Sequence, residues 1–347
     1  MVSASISATA LTLRAARPAA IATTIAAAFA FVPLSAPTAF GQTSSWTPEA
    51  PAMVLPVKNK VDPREKMPAK KLFGRKRGAA PLAPQAIGFY SRGCLAGGER
   101  LEVDGPAWQA MRLSRNRNWG HPQLVATVRR LAKEARKSDG WPGLLVGDLA
   151  QPRGGPMLTG HRSHQVGLDA DIWFTPMPDR RLSRRERERL SATSMLGSKT
   201  SVNERIWSMA HVRLIRRAAS YPQVERILVH PAIKKALCDG AKELGGSRAW
   251  LAKVRPYWGH HYHFHLRIGC PEGSPNCHSQ KPTTGATGCT REIDYWFRLL
   301  TDPPKPKPKR KKRRKRLPVT LARLPQQCRT VLDAAPIVPP APVPVKR

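Results

Sequence analysis

Apolar residues recur at helical spacing in several stretches of the chain. Residues 122–137 place six apolar side chains on one face, with Pro122 suited to the first turn and Gly140 just beyond the end. The charged stretch 179–192 indicates an exposed helix or loop. Further helices are predicted from Asn203 to about Ala219, from Pro231 to Cys238, and from Ala249 to Val254.

Two other segments, 168–174 and 263–268, alternate between apolar and polar residues with a period of two. This period is typical of strands that have one polar face. The apolar runs within 143–149 and 224–229 predict two more strands. Helices and strands together indicate an α+β domain with a small, antiparallel sheet.

Composition and charge separate a folded centre from basic ends. The chain of 347 residues carries 59 Lys+Arg against 23 Asp+Glu, and 41% of its residues are hydrophobic, which excludes a wholly disordered protein. We expect a signal peptide over 1–41, a basic, Pro-rich disordered linker over 42–85, a folded domain over 86–301, a basic disordered run over 302–316, a segment over 317–334 pinned by Cys328, and a disordered tail over 335–347.

The first residues are typical of an export signal. Arg14 and Arg17 precede an apolar stretch over about 18–32, and Ala39 and Gly41 are small residues at the positions that a signal peptidase reads. The apolar stretch is too short and too Ala-rich for a stable membrane span, although a transit peptide or an uncleaved anchor is the alternative. We therefore expect a periplasmic protein with no transmembrane helix after cleavage and with oxidised cysteines.

Two basic runs carry much of the excess charge. Residues 305–316 contain ten Lys/Arg and no acid, and residues 58–77 contain nine Lys/Arg. Prolines interrupt both runs, which favours solvated, disordered segments. We expect the basic tail either to associate with anionic envelope surfaces or to have no function. Nucleic-acid binding is disfavoured because the chain has an export signal.

Six of the ten histidines fall in two clusters, HRSHQVGLDAD (161–171) and HHYHFH (260–265). Imidazole and carboxylate groups suit Zn²⁺, and a catalytic zinc needs three protein ligands and one open position. His164, Asp171 and His265 are able to supply those three ligands. The two predicted strands, if paired side by side, bring these groups together, and we predict a metal site there.

The spacing H-x-x-G-x-x-x-D, followed by H-x-H, resembles the lysostaphin / D-Ala-D-Ala metallopeptidase / hedgehog superfamily. Longer segments resemble one family within it, the penicillin-insensitive murein endopeptidases, and cover most of residues 90–300. These segments are RNRNWGHPQLV (115–125), GDLAQPRGG (147–155), GHRSHQVGLDADIW (160–173), VHPAIKKALC (229–238), WLAKVRPYWGHHYHFHLRIGCP (250–271) and the cysteine pair of CPEGSPNC.

The resemblance implies a small antiparallel sheet that carries the metal and is flanked by helices. It implies His164, Asp171 and His265 as zinc ligands, while His263, His260 and His161 line the site. Some descriptions of the family treat the position of His161 as a further ligand, and they include a second metal. Two positions that would serve the second metal are Ser198 and Ser201 here, so we predict a single zinc.

The implied reaction is hydrolysis of the D-alanyl–meso-diaminopimelyl cross-bridge of murein by a zinc-activated water. The HExxH glutamate is missing, so His263 or His260 is expected to act as general base or to stabilise the oxyanion, and the sequence leaves these roles open. The sequence has no S-x-x-K motif, which agrees with insensitivity to penicillin. Arg153 is expected to pair with a peptide carboxylate.

The resemblance also implies three disulfides among the six cysteines. Its expected pairs are Cys270–Cys277, Cys238–Cys289 and Cys94–Cys328. Six cysteines allow fifteen pairings, so the spacing alone does not select these three.

Three other functions compete with murein endopeptidase. A carboxypeptidase acting on the same stem peptides has the same site. A non-catalytic wall-binding module would keep the fold after losing a ligand. A basic nucleic-acid binder gives no reason for the histidines. The sequence also leaves open the oligomeric state and cleavage of LD in addition to DD bonds.

Overall fold

The computed structural model describes residues 62–302 and 317–335. The expected signal peptide over 1–41 lies outside the described residues. So do the linker up to residue 61, nearly all of the basic run over 302–316 and most of the tail over 335–347. Within the part that is described, no helix combines the length and the apolar character that crossing a membrane requires.

Ten strands and seven α-helices make up the described chain. The strands are β1 (Gln85–Phe89), β2 (Arg92–Ala96), β3 (Glu99–Arg100), β4 (Trp108–Ala110), β5 (Trp119–Gly120), β6 (Leu144–Val146), β7 (Asp169–Pro176), β8 (Val224–Val229), β9 (Val254–Pro256) and β10 (His263–Ile268). The helices are α1 (Ala69–Phe73), α2 (Pro122–Ser138), α3 (Arg184–Arg189), α4 (Met209–Ser220), α5 (Pro231–Glu243), α6 (Arg291–Thr301) and α7 (Gln327–Asp333).

The main sheet has six strands in the order β4-β6-β7-β10-β8-β9. Its four central strands are antiparallel, but β4 pairs parallel with β6 and β8 pairs parallel with β9. The α+β class is confirmed, whereas the purely antiparallel sheet is wrong. Because α2 lies between β4 and β6 and α5 lies between β8 and β9, each pair has the helical crossover that parallel strands need.

Three of the four predicted helices begin at the predicted residue, although the one from Ala249 is a short 3-10 helix, and α1, α6 and α7 were not predicted. Both α2 and α5 start at the proline that marks their first turn, because proline lacks the N–H that would be unpaired there. The helix expected from Asn203 instead begins at Met209. The carbonyl of Asn203 accepts the backbone N–H groups of Ile206 and Trp207 in a separate turn. A polar residue that closes a turn therefore resembled a helix cap in the sequence.

The principal core lies where α2, α4 and α5 pack with the main sheet. Leu124, Val128 and Leu131 on the apolar face of α2 are fully buried. The central strands add Ile172 and Phe264, which are register partners in β7 and β10. Each such side chain contributes about 1.5–3 kcal/mol when it leaves water. These apolar contacts fix β7 and β10 through one face of the sheet. The polar side chains of the two strands lie on the opposite face.

A second core joins the two ends of the described chain, and it corrects the expected organisation. Residues 62–85 are folded, so the disordered linker is wrong over this part. Ala69 and Phe73 of α1 are buried with Leu321 and Val331 from the C-terminal segment. The prolines and lysines dominate the local composition, but the apolar partners that order this segment come from the far end of the sequence.

Three disulfides are present in the described residues, in the same pairs that the family resemblance implies. They join Cys94 to Cys328, Cys238 to Cys289 and Cys270 to Cys277. The first attaches α7 to β2, and Arg329 of α7 forms an ion pair with Glu65. The segment over 317–334 is therefore held against the domain.

Candidate metal centre

The two central strands bring His265 beside Asp171. These residues are register partners in the antiparallel pair of β7 and β10, so their side chains share one face. His265 Nδ1 lies 3.0 Å from Asp171 Oδ1. Its Nε2 lies 3.0 Å from Asp169 Oδ1, which also accepts a hydrogen bond from Arg267 Nε at 2.6 Å. The strand pairing expected from the sequence thus assembles two of the three expected ligands.

His164 reaches the same aspartate from the loop before β7. Its backbone has φ of 65°, and its N–H donates to Asp169 Oδ2 at 2.8 Å, which stabilises this left-handed conformation. The ring Nδ1 lies 2.8 Å from the carbonyl oxygen of Leu149, so Nδ1 donates and Nε2 is left as an acceptor. Nε2 lies 3.3 Å from Asp171 Oδ1 and has no hydrogen-bond partner, although it is buried.

Gly167 shapes the turn that connects this loop to β7. Its φ is 72°, and a Cβ atom there would lie 2.7 Å from Leu95 Cδ2 and 2.9 Å from the backbone nitrogen of His121. Glycine is therefore needed here both for the left-handed turn and for the close approach of the neighbouring chain.

His161 lies at the rim of the cluster. Its Nδ1 is 3.5 Å from Asp171 Oδ2, and its Nε2 is 3.0 Å from Asp148 Oδ2. Asp148 is buried and also accepts hydrogen bonds from Arg117 at 2.8 Å and Arg115 at 3.1 Å. Burial raises the pKa of Asp148, but the His161 hydrogen bond and the Arg117 charge outweigh it and lower that pKa to about 2. Asp148 is therefore an anion that orients His161.

One arrangement recurs in all three histidines. Each ring has one nitrogen on a protein acceptor and the other facing Asp171. A histidine that binds a metal usually donates its second N–H to a carboxylate or carbonyl in this way. The facing atoms of His161, His164 and Asp171 lie within 4.8 Å of one another. This donor set, together with the unpartnered Nε2 of His164, fits a metal ion with nitrogen and oxygen ligands.

The two expected catalytic histidines lie beside this group. His263 Nε2 is 3.6 Å from Asp171 Oδ1, and its Nδ1 is buried without a partner. The rings of His260 and His263 are 5.0 Å apart, and His260 Nδ1 lies 2.8 Å from the carbonyl oxygen of Trp258. Burial lowers the pKa of both histidines, that of His260 to about 4. Both rings are therefore neutral near pH 7 and able to accept a proton.

A cavity of about 320 Å³ opens onto this cluster. His161, Asp171, His263 and Asp148 line it. Its other lining residues are Arg112, Arg115, Gly147, Trp173, Ser191, Ala192, Tyr262. The cavity is thus a polar cleft that gives access to His161 and Asp171, while His164 and His265 are buried outside its lining.

Arg153 does not face this cleft, so the expected pairing with a peptide carboxylate is wrong. Its side chain is buried, and its guanidinium donates to the carbonyls of Val331 at 2.8 Å and Leu332 at 2.9 Å. These carbonyls belong to the last turn of α7, which needs such donors. The sequence placed a charged residue close to the predicted site. It did not show that the end of α7, from the C-terminal segment, would pack against that residue.

The two serines at the expected second-metal positions lie on the surface. Ser198 and Ser201 are exposed, and their hydroxyl oxygens are 2.8 Å apart. Their hydroxyls stabilise a local turn by accepting or sharing hydrogen bonds within it.

Sequence reasoning gave no role to Asp148, Asp169 or Arg117. All three are buried, and each orients a histidine of the cluster or its carboxylate partner. Both aspartates lie at the edge of an apolar strand segment, where a buried acid needs a partner. The position of these two aspartates next to apolar strand residues was the sequence feature that could have indicated their roles.

The fold and the cluster define an α+β protein with a candidate metal-binding site on one face of its main sheet. A family model described as penicillin-insensitive murein endopeptidase matches residues 86–333. The chain is 42% identical over 221 residues to the penicillin-insensitive murein endopeptidase of Haemophilus influenzae, covering 63% of this chain and 74% of that protein. It is 38% identical over 250 residues to the protein of the same name from Klebsiella pneumoniae, covering 72% and 86%. The chain belongs to the penicillin-insensitive murein endopeptidase family, as the sequence motifs indicated.

Proposed function

We propose that this protein is a zinc-dependent endopeptidase that hydrolyses the D-alanyl–meso-diaminopimelyl cross-bridges of murein and is insensitive to penicillin. The observation that carries the proposal is the set of three histidines that each direct one ring nitrogen at Asp171, with that of His164 buried and without a hydrogen-bond partner. Membership of the murein endopeptidase family supports the substrate.

His164, Asp171 and His265 would hold the zinc, with His161 as a further donor at the rim. A bound Zn²⁺ supplies Lewis-acid chemistry, which activates water near neutral pH and polarises a peptide carbonyl. Leu149 and Asp169 hold the second nitrogens of His164 and His265, which selects the tautomers that leave a lone pair toward Asp171.

In this proposal His263 or His260 transfers the proton of the reaction. Because burial keeps both rings neutral, either is able to take a proton from the attacking water and return it to the leaving amine. Trp258 accepts the Nδ1–H of His260, so Nε2 of that ring is the basic nitrogen. The nucleophile is water and not a serine, so a β-lactam has no hydroxyl to acylate in this reaction.

We also propose that the protein acts in the periplasm. The N-terminal export pattern and three disulfides support an oxidising compartment.

Mass spectrometry of muropeptides tests the activity. The mature protein is incubated with cross-linked, diaminopimelate-type murein, with and without a chelator and with penicillin. We expect dimers to become monomers, the chelator to stop this change, added zinc to restore it, and penicillin to have no effect. His265→Ala should lose at least about 10³-fold in rate, since it removes a proposed ligand, whereas His278→Ala, at an exposed site outside the cluster, should not change the rate.

Loss of terminal D-alanine with dimers intact would instead show a carboxypeptidase. If zinc binds and no bond is cut, the protein is a wall-binding module and the proposal fails.

A further inference from the structure

One wall of the cleft beside the histidine cluster is positively charged. Arg112 and Arg115 both line the cavity that His161, Asp171 and His263 also line. Arg115 is linked to the cluster by two short contacts. Its Nη1 donates to Asp148 Oδ2 at 3.1 Å, and the same oxygen lies 3.0 Å from His161 Nε2. The guanidinium therefore stands next to the proposed reaction centre.

Asp148 does not need Arg115 to balance its charge. Asp148 already has a buried partner, because Arg117 donates to the same oxygen at 2.8 Å and its side chain is only 8% exposed. Arg115 is 46% exposed and uses a single N–H group in this contact. In the described part of the chain its other guanidinium N–H groups have no protein acceptor. They are free to bind a ligand in the cleft.

Arg112 adds a second positive charge to the same wall. Its guanidinium donates to the carbonyl oxygens of Leu190 at 2.7 Å and of Glu188, and it lies 5.6 Å from the ring centre of Trp173. Carbonyl oxygens fix the direction of a guanidinium but do not cancel its charge. Within residues 62–302 and 317–335, no carboxylate forms an ion pair with Arg112. The wall therefore has a surplus of positive charge and suits an anionic group.

We propose that Arg115 binds the free carboxylate of the diaminopimelyl residue whose amide bond is cut. This proposal rests on the proposed function. In a D-alanyl–meso-diaminopimelyl bond, the carbon that bears the amide nitrogen also bears a carboxylate, so an anion lies two bonds from the reacting nitrogen. Arginine binds carboxylates through two parallel hydrogen bonds, which gives both energy and direction. Arg112 provides the supporting charge, and Arg115 selects the substrate.

A comparison of two substrates tests this assignment. One is a cross-linked muropeptide dimer with the free carboxylate, and the other is the same dimer with that carboxylate amidated. The wild-type, zinc-loaded protein should have a kcat/KM about 10–100-fold higher for the free carboxylate, the range expected for a charge-assisted pair. Arg115→Met should lose about 10–100-fold on the free carboxylate and less than about 3-fold on the amidated dimer. The preference of the wild type for the free carboxylate should therefore be absent in Arg115→Met.

Two further variants sharpen the test. Arg115→Lys keeps the charge without the two-pronged geometry and should retain part of the preference. Arg162→Met removes an exposed arginine that does not line the cavity and should retain all of it. Bound zinc is measured in every variant, since a role through Asp148 and His161 would lower zinc content.

An equal fall on both dimers in Arg115→Met, or a wild type that does not distinguish them, would overturn the assignment to Arg115. If the wild type cuts neither dimer, the proposed function fails, and this inference fails with it.

Discussion

At the scale of single residues, the proposed chemistry depends on which nitrogen of each histidine is held by a protein acceptor. Leu149, Asp169 and Asp148 each hold one ring nitrogen, at 2.8, 3.0 and 3.0 Å, so that the other nitrogen faces Asp171. A neutral imidazole has one donor and one acceptor nitrogen, so this contact determines which lone pair is presented. The buried acceptors are therefore as important for the site as the candidate ligands.

Asp148 gives the residue-scale prediction. Asp148→Asn keeps the shape but removes the charge that orients His161 and pairs with Arg117. We expect zinc affinity to fall about 10–100-fold, the usual loss for a partner of a metal-binding histidine. Chelator competition with the purified protein measures this. Asp239→Asn, on the exposed side of α5, is the control, and equal affinities in both variants would refute the role of Asp148.

At the scale of elements, α5 contains a buried lysine that the proposed reaction does not use. The Lys234 side chain is fully buried, and its Nζ donates to the carbonyl oxygens of Leu251 at 2.7 Å and Thr287 at 2.6 Å. Burial lowers the pKa of Lys234 to about 7, although the nearby charge of Glu292 opposes the shift. A neutral amine has two N–H groups, which match these two acceptors.

This lysine makes stability depend on pH in a defined direction. Between about pH 7 and 10.5 the unfolded chain holds a proton on Lys234 that the folded protein has released, so the free energy of unfolding rises with pH in this window. Below pH 7 both states are protonated and the full cost of the buried charge is present. Relative to Lys234→Met, the wild type should gain about 3 kcal/mol between pH 7 and 9.5.

Urea denaturation at the two pH values measures this difference. Lys235→Met changes an exposed neighbour and should run parallel to the wild type. A constant gap between the wild type and Lys234→Met across the pH window would contradict the prediction.

At the scale of the whole molecule, the two ends of the described chain support the loop that carries the site. Arg153 lies in the loop before His161 and donates to the last turn of α7, and Cys328 of α7 is bonded to Cys94 of β2. The C-terminal segment therefore fixes Arg153, in the loop that precedes the histidine cluster, and strand β2. Its attachment is covalent and spans most of the sequence.

The number of residues between the two bonded cysteines predicts how much the disulfide stabilises the fold. A disulfide lowers the entropy of the unfolded chain more when it closes a longer loop. Cys94–Cys328 has a sequence separation of 234, and Cys270–Cys277 has a separation of 7. Replacing both cysteines by serine should lower the free energy of unfolding by about 4–5 kcal/mol for the long pair and about 2–3 kcal/mol for the short one.

Urea denaturation of the two double variants without reductant measures this order, and each variant is the matched control for the other. The reverse order would show that native contacts around Cys270, and not loop entropy, dominate.

The sequence by itself determined what depends on local spacing and on motif. A period of 3.6 located α2, a period of two located the strands of His265 and Asp171, and prolines located the helix starts, because each of these patterns acts over a few residues. The histidine and aspartate motifs indicated the family and the residues that converge at the candidate site. These features do not depend on where distant parts of the chain lie in the folded protein.

Only the tertiary structure decided what depends on partners distant in the chain. It made the outer strands parallel, folded residues 62–85 against the C-terminal segment, and committed Arg153 to the end of α7. It also placed Arg115 in the cleft and gave Asp148 its partners. The physical reason is that burial and charge pairing depend on contacts in space, and residues far apart in sequence make those contacts only after the chain has folded.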